Sequence, residues 1–190
     1  MEQDNILKDV CNRDEFRSWL ETHHQVETEC YLRLKRGRPV DDETFWYLDA
    51  VEEALCFGWI DSTIRTIDGV VWQRFGPRKP RSPWTELNKE RVRRLEKLGL
   101  MTDAGRRVLP PMGPRSFRVD PDVEKALKDA RCWAQFKRFP PLYQRIRAYN
   151  TAFHKKDRAV YERNLANLIA HTKKGELYGE WNDYGRLLDY

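Results

Sequence analysis

The chain has 190 residues, of which 40% are hydrophobic and 34% are charged, and its formal net charge is +5. This length suits one domain, or a domain with a smaller partner, and it is enough to bury a core. The composition is typical of a soluble globular protein, and no apolar run approaches the length of about 18 residues that a transmembrane helix needs.

The N-terminus and the cysteines favour a cytoplasmic protein. The first segment, MEQDNILKDV, has neither the basic nor the apolar region of a secretory signal, so we expect no export and no membrane insertion. The four cysteines lie far apart without a C-x-x-C motif, which is typical of reduced thiols in a cytosolic core (Cys11, Cys30, Cys56 and Cys132). The four histidines have no cysteine at ligand spacing, so we expect neither a metal site nor a cofactor.

The first predicted elements are a helix and a strand. Asn12 and Glu15 form a capping pair before the amphipathic segment DEFRSWLETHH, which predicts a helix. The next segment, ECYLRLKRG, alternates with a period of two residues. It predicts a strand with Cys30, Leu32 and Leu34 on one face, and with Tyr31, Arg33 and Lys35 on a solvated face.

The segment TFWYLDAVEEALCFG predicts a second helix, which begins at Asp41-Asp42 and ends at Gly58. This helix is apolar nearly all round, so it is expected to be largely buried. Its narrow acidic stripe must therefore face either water or a cationic partner (Asp49, Glu52 and Glu53).

The segment STIRTIDGVVWQRF predicts a β-hairpin. Asp68-Gly69 is a typical two-residue turn, because both positions need positive φ. In this register Arg65 faces Trp72 across the two strands. One face then carries residues suited to a core (Ile64, Val71 and Phe75), and the other carries a polar and aromatic wall (Asp61, Arg65, Trp72 and Arg74).

Residues 72–94 make the protein basic. They carry eight Lys or Arg against two acids, while the remaining residues sum to a net charge of −1. After the turn GPRKPRSP, Ser82 is predicted as an N-cap and Pro83 as the first residue of a helix that runs to Gly99. On the helical wheel Asn88 and Arg91 fall within the apolar stripe, so both are expected to point inward and to be hydrogen-bonded.

The rest of the chain is predicted to be helical. A short helix from Thr102 to about Val108 precedes the linker PPMGPRS, and three helices follow at roughly 121–137, 141–153 and 157–173. The aromatic and leucine residues of the tail predict that it packs on the body. We therefore expect an α+β fold, with a small antiparallel sheet packed on helices in residues 1–115 and an all-helical part in residues 116–190.

Two stretches, EEALCFGWIDS and QRFGPRKPRSPWTELNKERVRRLEKLGLMTDAG, resemble the YdeI/OmpD-associated (OmdA) proteins, which are also described as bacteriocin-protection proteins. The shared features are the GWID turn, the PRKP segment with a following Trp84 and Asn88, and an M-T-x-x-G step. The similarity covers most of residues 14–175, although Thr85 stands where the family has Ser. The resemblance implies a bacterial role in stress or envelope resistance, sometimes under a periplasmic label, and it implies no established reaction.

The first functional interpretation of the basic segment is a site for a small anionic or phosphorylated ligand. A rigid turn that leads into a helix N-terminus favours a phosphate or a carboxylate, because backbone N–H groups and the helix dipole point at the ligand. The candidate ligand-binding residues are Arg65, Trp72, Arg74, Arg78, Lys79, Ser82, Trp84 and Asn88.

Two other functional classes are open. Basic residues interleaved with Trp and Phe also suit nucleic-acid binding, in which phosphate contacts combine with base stacking. An enzyme with Asp61 or Glu52 as general base is the third class, although no catalytic triad, G-x-G-x-x-G or P-loop is present. A concave pocket would favour a small ligand or an enzyme, and a flat basic stripe would favour nucleic acid.

A purely structural interpretation competes with all three. In it, some arginines of the basic segment (Arg74, Arg78 or Arg91) pair with carboxylates in a buried network (Asp49, Glu52 or Asp61). The sequence does not determine the oligomeric state.

Overall fold

The computed structural model describes residues 5–40 and 43–190, and it confirms the α+β fold. The chain divides into two compact units. The first unit takes the chain up to Pro83, together with Arg91–Pro110 and Tyr190, and the second takes Trp84–Glu90 and Pro111–Asp189. The predicted helix start at Asp41-Asp42 lies outside the described residues.

The elements follow one another in a fixed order. The first seven are α1 (Arg13–His23), β1 (Cys30–Leu32), α2 (Tyr47–Cys56), β2 (Trp59–Ile67), β3 (Val70–Pro77), α3 (Glu86–Lys97) and α4 (Asp103–Arg107). The chain then forms α5 (Pro121–Asp129), α6 (Trp133–Phe136), α7 (Pro141–Phe153) and α8 (Arg158–Lys174), with short 3-10 turns at Pro114–Ser116 and Asp183–Gly185.

Helix α1 begins where the capping pair predicts. Asn12 Oδ1 accepts a hydrogen bond from the backbone N–H of Glu15 at 2.9 Å, and the Glu15 carboxylate accepts from the N–H of Cys11 at 2.6 Å. These two bonds satisfy N–H groups that have no partner inside the helix. Phe16 and Leu20 are fully buried, and the Phe16 ring lies 5.6 Å from the ring of Phe75 in the sheet.

The three strands form an antiparallel sheet in the order β1-β3-β2. The hairpin turn is confirmed: Asp68 and Gly69 both have positive φ, at 51° and 77°. Arg65 pairs with Trp72 as predicted, so these two residues share a face of the sheet.

A β-bulge overturns the predicted position of Asp61. Asp61 pairs with Phe75 and Ile64 pairs with Gln73, so three steps along β2 match two steps along β3. The extra residue switches which side of the sheet the preceding residues face. Asp61 therefore lies on the Phe75 face, and the predicted wall that joined it to Arg65 was wrong.

Burial of the hairpin also differs from the prediction. Phe75 is fully buried, but Ile64 and Val71 on the same face are 53% and 54% exposed. Both residues lie in the distal part of the hairpin, which extends beyond β1, because β1 pairs only with Gln73, Arg74 and Phe75.

The other face of the sheet is drier than the alternation predicts. Tyr31, predicted to be solvated, is only 5% exposed. The N-terminal segment pairs with the edge of β1, since Leu7 N–H donates to the Tyr31 carbonyl at 3.0 Å and Tyr31 N–H donates to the carbonyl of Asn5 at 2.8 Å. The Arg65 guanidinium lies 5.2 Å from the centre of the Tyr31 ring.

The acidic stripe of α2 faces a cationic partner. Glu52 and Glu53 are 0% and 1% exposed, and arginines from α1 and α3 surround them. Arg13 donates to Glu52 at 2.9 Å and to Glu53 at 2.5 Å, Arg17 donates to Glu53 at 2.8 Å, and Arg94 donates to Glu52 at 2.8 Å. We call these five residues the carboxylate–arginine cluster.

Two motif glycines hold α4 against the end of α2. A Cβ at Gly105 would lie 2.2 Å from the Cys56 carbonyl oxygen, and one at Gly58 would lie 3.1 Å from the Ala104 oxygen. The Thr102 hydroxyl donates to the same Cys56 carbonyl at 2.6 Å and accepts from Gly105 N–H at 3.3 Å. The GWID turn and the M-T-x-x-G step are therefore packing features of the first unit.

The second unit has its own core, which α5, α6, α7 and α8 build together with the tail. The helix predicted at 121–137 is two helices, because Arg131 has a φ of 58° that a continuous helix cannot contain. The predicted packing of the tail is confirmed, since Trp181 and Leu187 are 8% and 3% exposed. Throughout the described ranges, every helix is too short or too polar to cross a membrane.

The carboxylate–arginine cluster gives the first prediction. Glu52→Gln keeps the shape of the side chain but removes the negative charge beside Arg13 and Arg94. The free energy of unfolding should therefore fall by about 3 kcal/mol. Urea denaturation measures this change. Glu21→Gln, at an exposed α1 position 3.6 Å from Arg17, is the control and should change stability by less than about 0.5 kcal/mol. Equal effects of the two variants would contradict the assigned role of the cluster.

The close approach of α4 and α2 gives the second prediction. Gly105→Ala places a methyl group against backbone that no side-chain rotation can move, so it should destabilise the protein by at least about 2 kcal/mol. Gly113→Ala is the matched control, because Gly113 has a φ of −66° and its Cβ would meet nothing within 4 Å. Thermal unfolding should leave this control unchanged or slightly stabilised, and a stable Gly105→Ala protein would rule out the contact.

Candidate functional site

Arg78 of the PRKP segment is buried and hydrogen-bonded to the backbone of the first unit. It is only 8% exposed, its backbone N–H donates to the Gly58 carbonyl at 3.0 Å, and its guanidinium donates to the Pro83 carbonyl at 2.8 Å. The side-chain bond links Arg78, near the start of the turn, to Pro83 at its end. Lys79, in contrast, is exposed.

The predicted helix start at Ser82 was wrong. Helix α3 begins at Glu86, and Thr85 acts as its cap, because the Thr85 hydroxyl oxygen accepts a hydrogen bond from Asn88 N–H at 3.1 Å. The turn at Arg81, with a φ of 64°, leads instead into non-helical backbone that continues to Thr85. The Ser82 N–H donates to the Lys79 carbonyl at 3.1 Å, which closes the turn. Ser82 is therefore a turn residue and not the N-cap of a helix.

The other members of the predicted site are distributed over both units. Trp84 and Asn88 belong to the second unit and are partly buried, whereas the cations of the hairpin belong to the first. Arg74 pairs with Glu29 at 2.5 Å and donates to the Ser62 hydroxyl at 3.0 Å. Arg65 is exposed, and its guanidinium lies 5.2 Å from the ring centre of Tyr31.

The two candidate general bases have different environments. Glu52 is fully buried, and each of its carboxylate oxygens accepts a hydrogen bond from an arginine. Asp61 is partly buried and accepts a hydrogen bond of 2.6 Å from the Tyr47 hydroxyl. Burial and the nearby Asp61 carboxylate raise the pKa of Tyr47, so this phenol stays protonated and keeps donating.

Asp61 and Tyr47 are part of a small polar cluster on the Phe75 face of the sheet. The Arg36 guanidinium lies 4.2 Å from the ring centre of Tyr47 and donates to Gln73 Oε1 at 2.6 Å. The amide of Gln73 in turn donates to the Ser62 carbonyl at 3.2 Å and to the Thr63 carbonyl at 3.3 Å, within the bulge. These bonds hold the bulge in place, which accounts for the buried glutamine.

Trp72, a member of the predicted site, lines a cavity. The cavity has a volume of about 720 Å³ and lies in the first unit. Its apolar lining comes from the N-terminal segment, the chain after β1, the approach to α2 and the start of β3 (Leu7, Val10, Leu34, Phe45, Val70 and Trp72). We call it the Trp72 pocket. This size is within the range of sites for small molecules.

The rim of the Trp72 pocket is cationic. Its charged lining residues are Lys8, Arg33 and Lys35 against the single acid Glu43, within the part of the chain that the structure describes. The Lys35 ammonium lies 4.5 Å from the Trp46 ring, which fixes its direction. The excess of positive charge over an apolar floor favours an organic anion.

Sequence reasoning found only part of this pocket. The alternation of ECYLRLKRG placed Arg33 and Lys35 on one side, which was the available signal. No sequence signal pointed to Lys8. The parallel bridge between Ile6 and Tyr31 brings the N-terminal segment, and Lys8 with it, to the pocket, and no local pattern predicts that bridge.

The chain therefore has a small α+β first unit that contains the pocket, and a helical second unit. A comparison with protein families finds a model that matches part of the chain. The model is a domain of unknown function, DUF8412, and it matches residues 8–108. The chain belongs to this family. The matched region contains every lining residue of the Trp72 pocket except Leu7. No curated protein and no solved structure matches the chain.

The bonds of Arg78 give the third prediction. Arg78→Ala removes a charged donor from the turn, so it should reduce stability by about 2 kcal/mol. Lys79→Ala is the matched control, since the neighbouring cation is exposed, and it should remain within about 0.5 kcal/mol of the parent. Chemical denaturation of both variants checks this, and a fully stable Arg78→Ala protein would show that the turn does not need its bonds.

Proposed function

We propose that the protein binds a small organic anion in the Trp72 pocket. The apolar body of the ligand would lie on Trp72 and Phe45, and its carboxylate, phosphate or sulfonate would lie among the cations of the rim. One observation carries the proposal: among the residues that the structure describes, three cations and one acid surround an apolar concave floor. A concave site of this kind favours a small ligand over a nucleic acid.

The two parts of the pocket would make different contributions. Burial of an apolar body contributes about 25 cal/mol per Å² of surface removed from water, so the floor would supply most of the affinity. Exposed ion pairs each contribute less than about 1 kcal/mol, so the rim would set the preference for negative charge. The ligand class is therefore an amphiphilic anion, such as an aromatic carboxylate or an aryl phosphate.

This proposal keeps the anionic ligand predicted from the sequence and moves its site. The predicted site centred on Arg78, Lys79 and Ser82. Arg78 is bonded to Pro83, and Ser82 does not begin a helix. Trp72 belongs to both the predicted site and the pocket.

The alternatives have less support. For nucleic-acid binding, the hairpin cation Arg74 and the turn cation Arg78 are both engaged with internal partners. For an enzyme, both candidate general bases are already engaged. Glu52 is paired with two arginines, and Asp61 accepts a hydrogen bond from the Tyr47 hydroxyl, so we propose no reaction. The resemblance to YdeI/OmpD-associated proteins extends the proposal to a bacterial stress-resistance role in the cytoplasm, with anion binding as its molecular activity.

The fourth prediction tests the ligand class with three aromatic probes of similar size. Phenyl phosphate and benzoate should bind to the full-length protein and raise its unfolding temperature, and benzylammonium should not. The affinity for both anions should fall as salt is raised, because the rim cations are exposed to screening. Isothermal titration calorimetry measures the dissociation constants. Equal binding of the cationic probe would contradict the proposal.

A pair of double variants tests the location. Lys8→Gln with Arg33→Gln removes two rim cations and should weaken phenyl phosphate binding at least tenfold. Lys79→Gln with Arg81→Gln removes two exposed cations of the PRKP turn and should leave it unchanged. The opposite result would place the site at the PRKP turn, as the sequence first suggested.

A further inference from the structure

A second, smaller cavity lies beside the Trp72 pocket in the first unit. Its volume is about 220 Å³, and it is more enclosed than the Trp72 pocket. It lies between the N-terminal segment and the tip of the hairpin, and we call it the hairpin-tip cavity. Its lining residues are Ile6, Lys8, Ile67, Asp68, Val70 and Trp72. The two cavities share Lys8, Val70 and Trp72, so they lie along the same wall.

Backbone pairing holds both sides of the hairpin-tip cavity in place. Ile67 pairs with Val70 across the Asp68-Gly69 turn, and Ile6 forms a parallel bridge with Tyr31 of β1. Ile6, Ile67 and Val70 are only partly buried, so each keeps apolar surface that a ligand can remove from water. Removal of such surface from water is the main source of affinity for an apolar group.

The two cavities differ in charge. Among the described residues, the hairpin-tip cavity has one cation and one acid, Lys8 and Asp68, beside four apolar residues. The Trp72 pocket adds the cations Arg33 and Lys35, which do not line the smaller cavity. The hairpin-tip cavity therefore does not favour negative charge, and Asp68 disfavours a second anionic group there. The shared wall thus runs from a cationic end to an apolar end.

Lys8 is the charged residue common to both cavities. Its side chain is exposed, and a lysine ammonium is carried on a flexible four-carbon stem. The ammonium can therefore turn toward an anion in the Trp72 pocket while the stem lies along an apolar chain in the smaller cavity. Val70 and Trp72 supply the apolar surface that continues from one cavity to the other.

We propose that the two cavities together bind an organic anion with one negative end and a linear apolar tail. The anionic end lies among the rim cations of the Trp72 pocket, and the tail passes Val70 and Trp72 into the hairpin-tip cavity. This inference rests on the proposed binding of an organic anion in the Trp72 pocket, and it specifies the ligand. A compact aromatic acid such as benzoate fills only the first cavity, so it binds more weakly than an anion with a tail.

The experiment compares benzoate with 4-butylbenzoate, which differ only in a four-carbon tail, by isothermal titration calorimetry on the full-length protein. Each fully buried methylene strengthens binding about fourfold, so 4-butylbenzoate should bind at least tenfold more tightly than benzoate. The compound 4-(3-carboxypropyl)benzoate has a tail of the same length that ends in a second carboxylate. It should bind at least tenfold more weakly than 4-butylbenzoate, because a charge is costly in an apolar cavity.

Two variants test whether the tail enters the hairpin-tip cavity. Ile67→Trp fills that cavity with a residue suited to a strand, so it should remove the advantage of 4-butylbenzoate and leave benzoate binding unchanged. Thr66→Trp is the matched control, because Thr66 is exposed and precedes Ile67 in β2, so its side chain points to the opposite face of the sheet. This control should keep the advantage of the tail.

Amide chemical shifts of the parent protein give a test that needs no variant. At saturation, 4-butylbenzoate should shift the amides of Ile67 and Asp68 more than benzoate does, and these shifts decide if Ile67→Trp does not fold. Benzoate binding with no gain from the tail, or a gain that Ile67→Trp leaves intact, would overturn this inference and leave the proposed anion site standing. Absence of binding by both compounds would overturn the inference and the proposed function together.

Discussion

The pairing of two buried carboxylates with three arginines is the constraint on which the first unit depends. Glu52 and Glu53 lie on α2, and their arginines come from α1 and from the later part of α3. Removing one charge leaves the others uncompensated, so the three helices are stabilised only in one mutual arrangement. The residues just before α2 contribute to the Trp72 pocket: Phe45 lines its floor, and the Trp46 ring lies 4.5 Å from the Lys35 ammonium on its rim.

The basic segment illustrates why net charge is a poor guide to ligand binding. Arg94 belongs to the carboxylate–arginine cluster, Arg78 braces its own turn, and Lys89 is paired with Glu86. Each is a cation whose partner lies close in the folded chain. The cations that surround the pocket come instead from the N-terminal segment and from the short basic stretch RLKRGR after β1, which lies outside residues 72–94.

Local features could be predicted from the sequence, and non-local pairings could not. The Asn12 cap and the Asp68-Gly69 turn were correct, because each is determined by residues close along the chain. The bulge that turns Asp61 away from Trp72 depends on Gln73 reaching into it, which no alternation pattern encodes. The arginine partners of Glu52 lie 39 and 42 positions away in sequence, so their identity also required the folded chain.

The bulge in β2 has a consequence for how copies of the protein meet. With the order β1-β3-β2, this strand is an edge of the sheet, and an edge presents unpaired backbone groups that another chain can extend. The bulge interrupts the regular register between Asp61 and Ile64, so only a short straight stretch remains available for such pairing. The exposed guanidinium of Arg65 lies in that stretch, and like charges on two approaching edges repel. The same irregularity that moves one carboxylate to the helical side therefore protects the molecule against edge-to-edge aggregation.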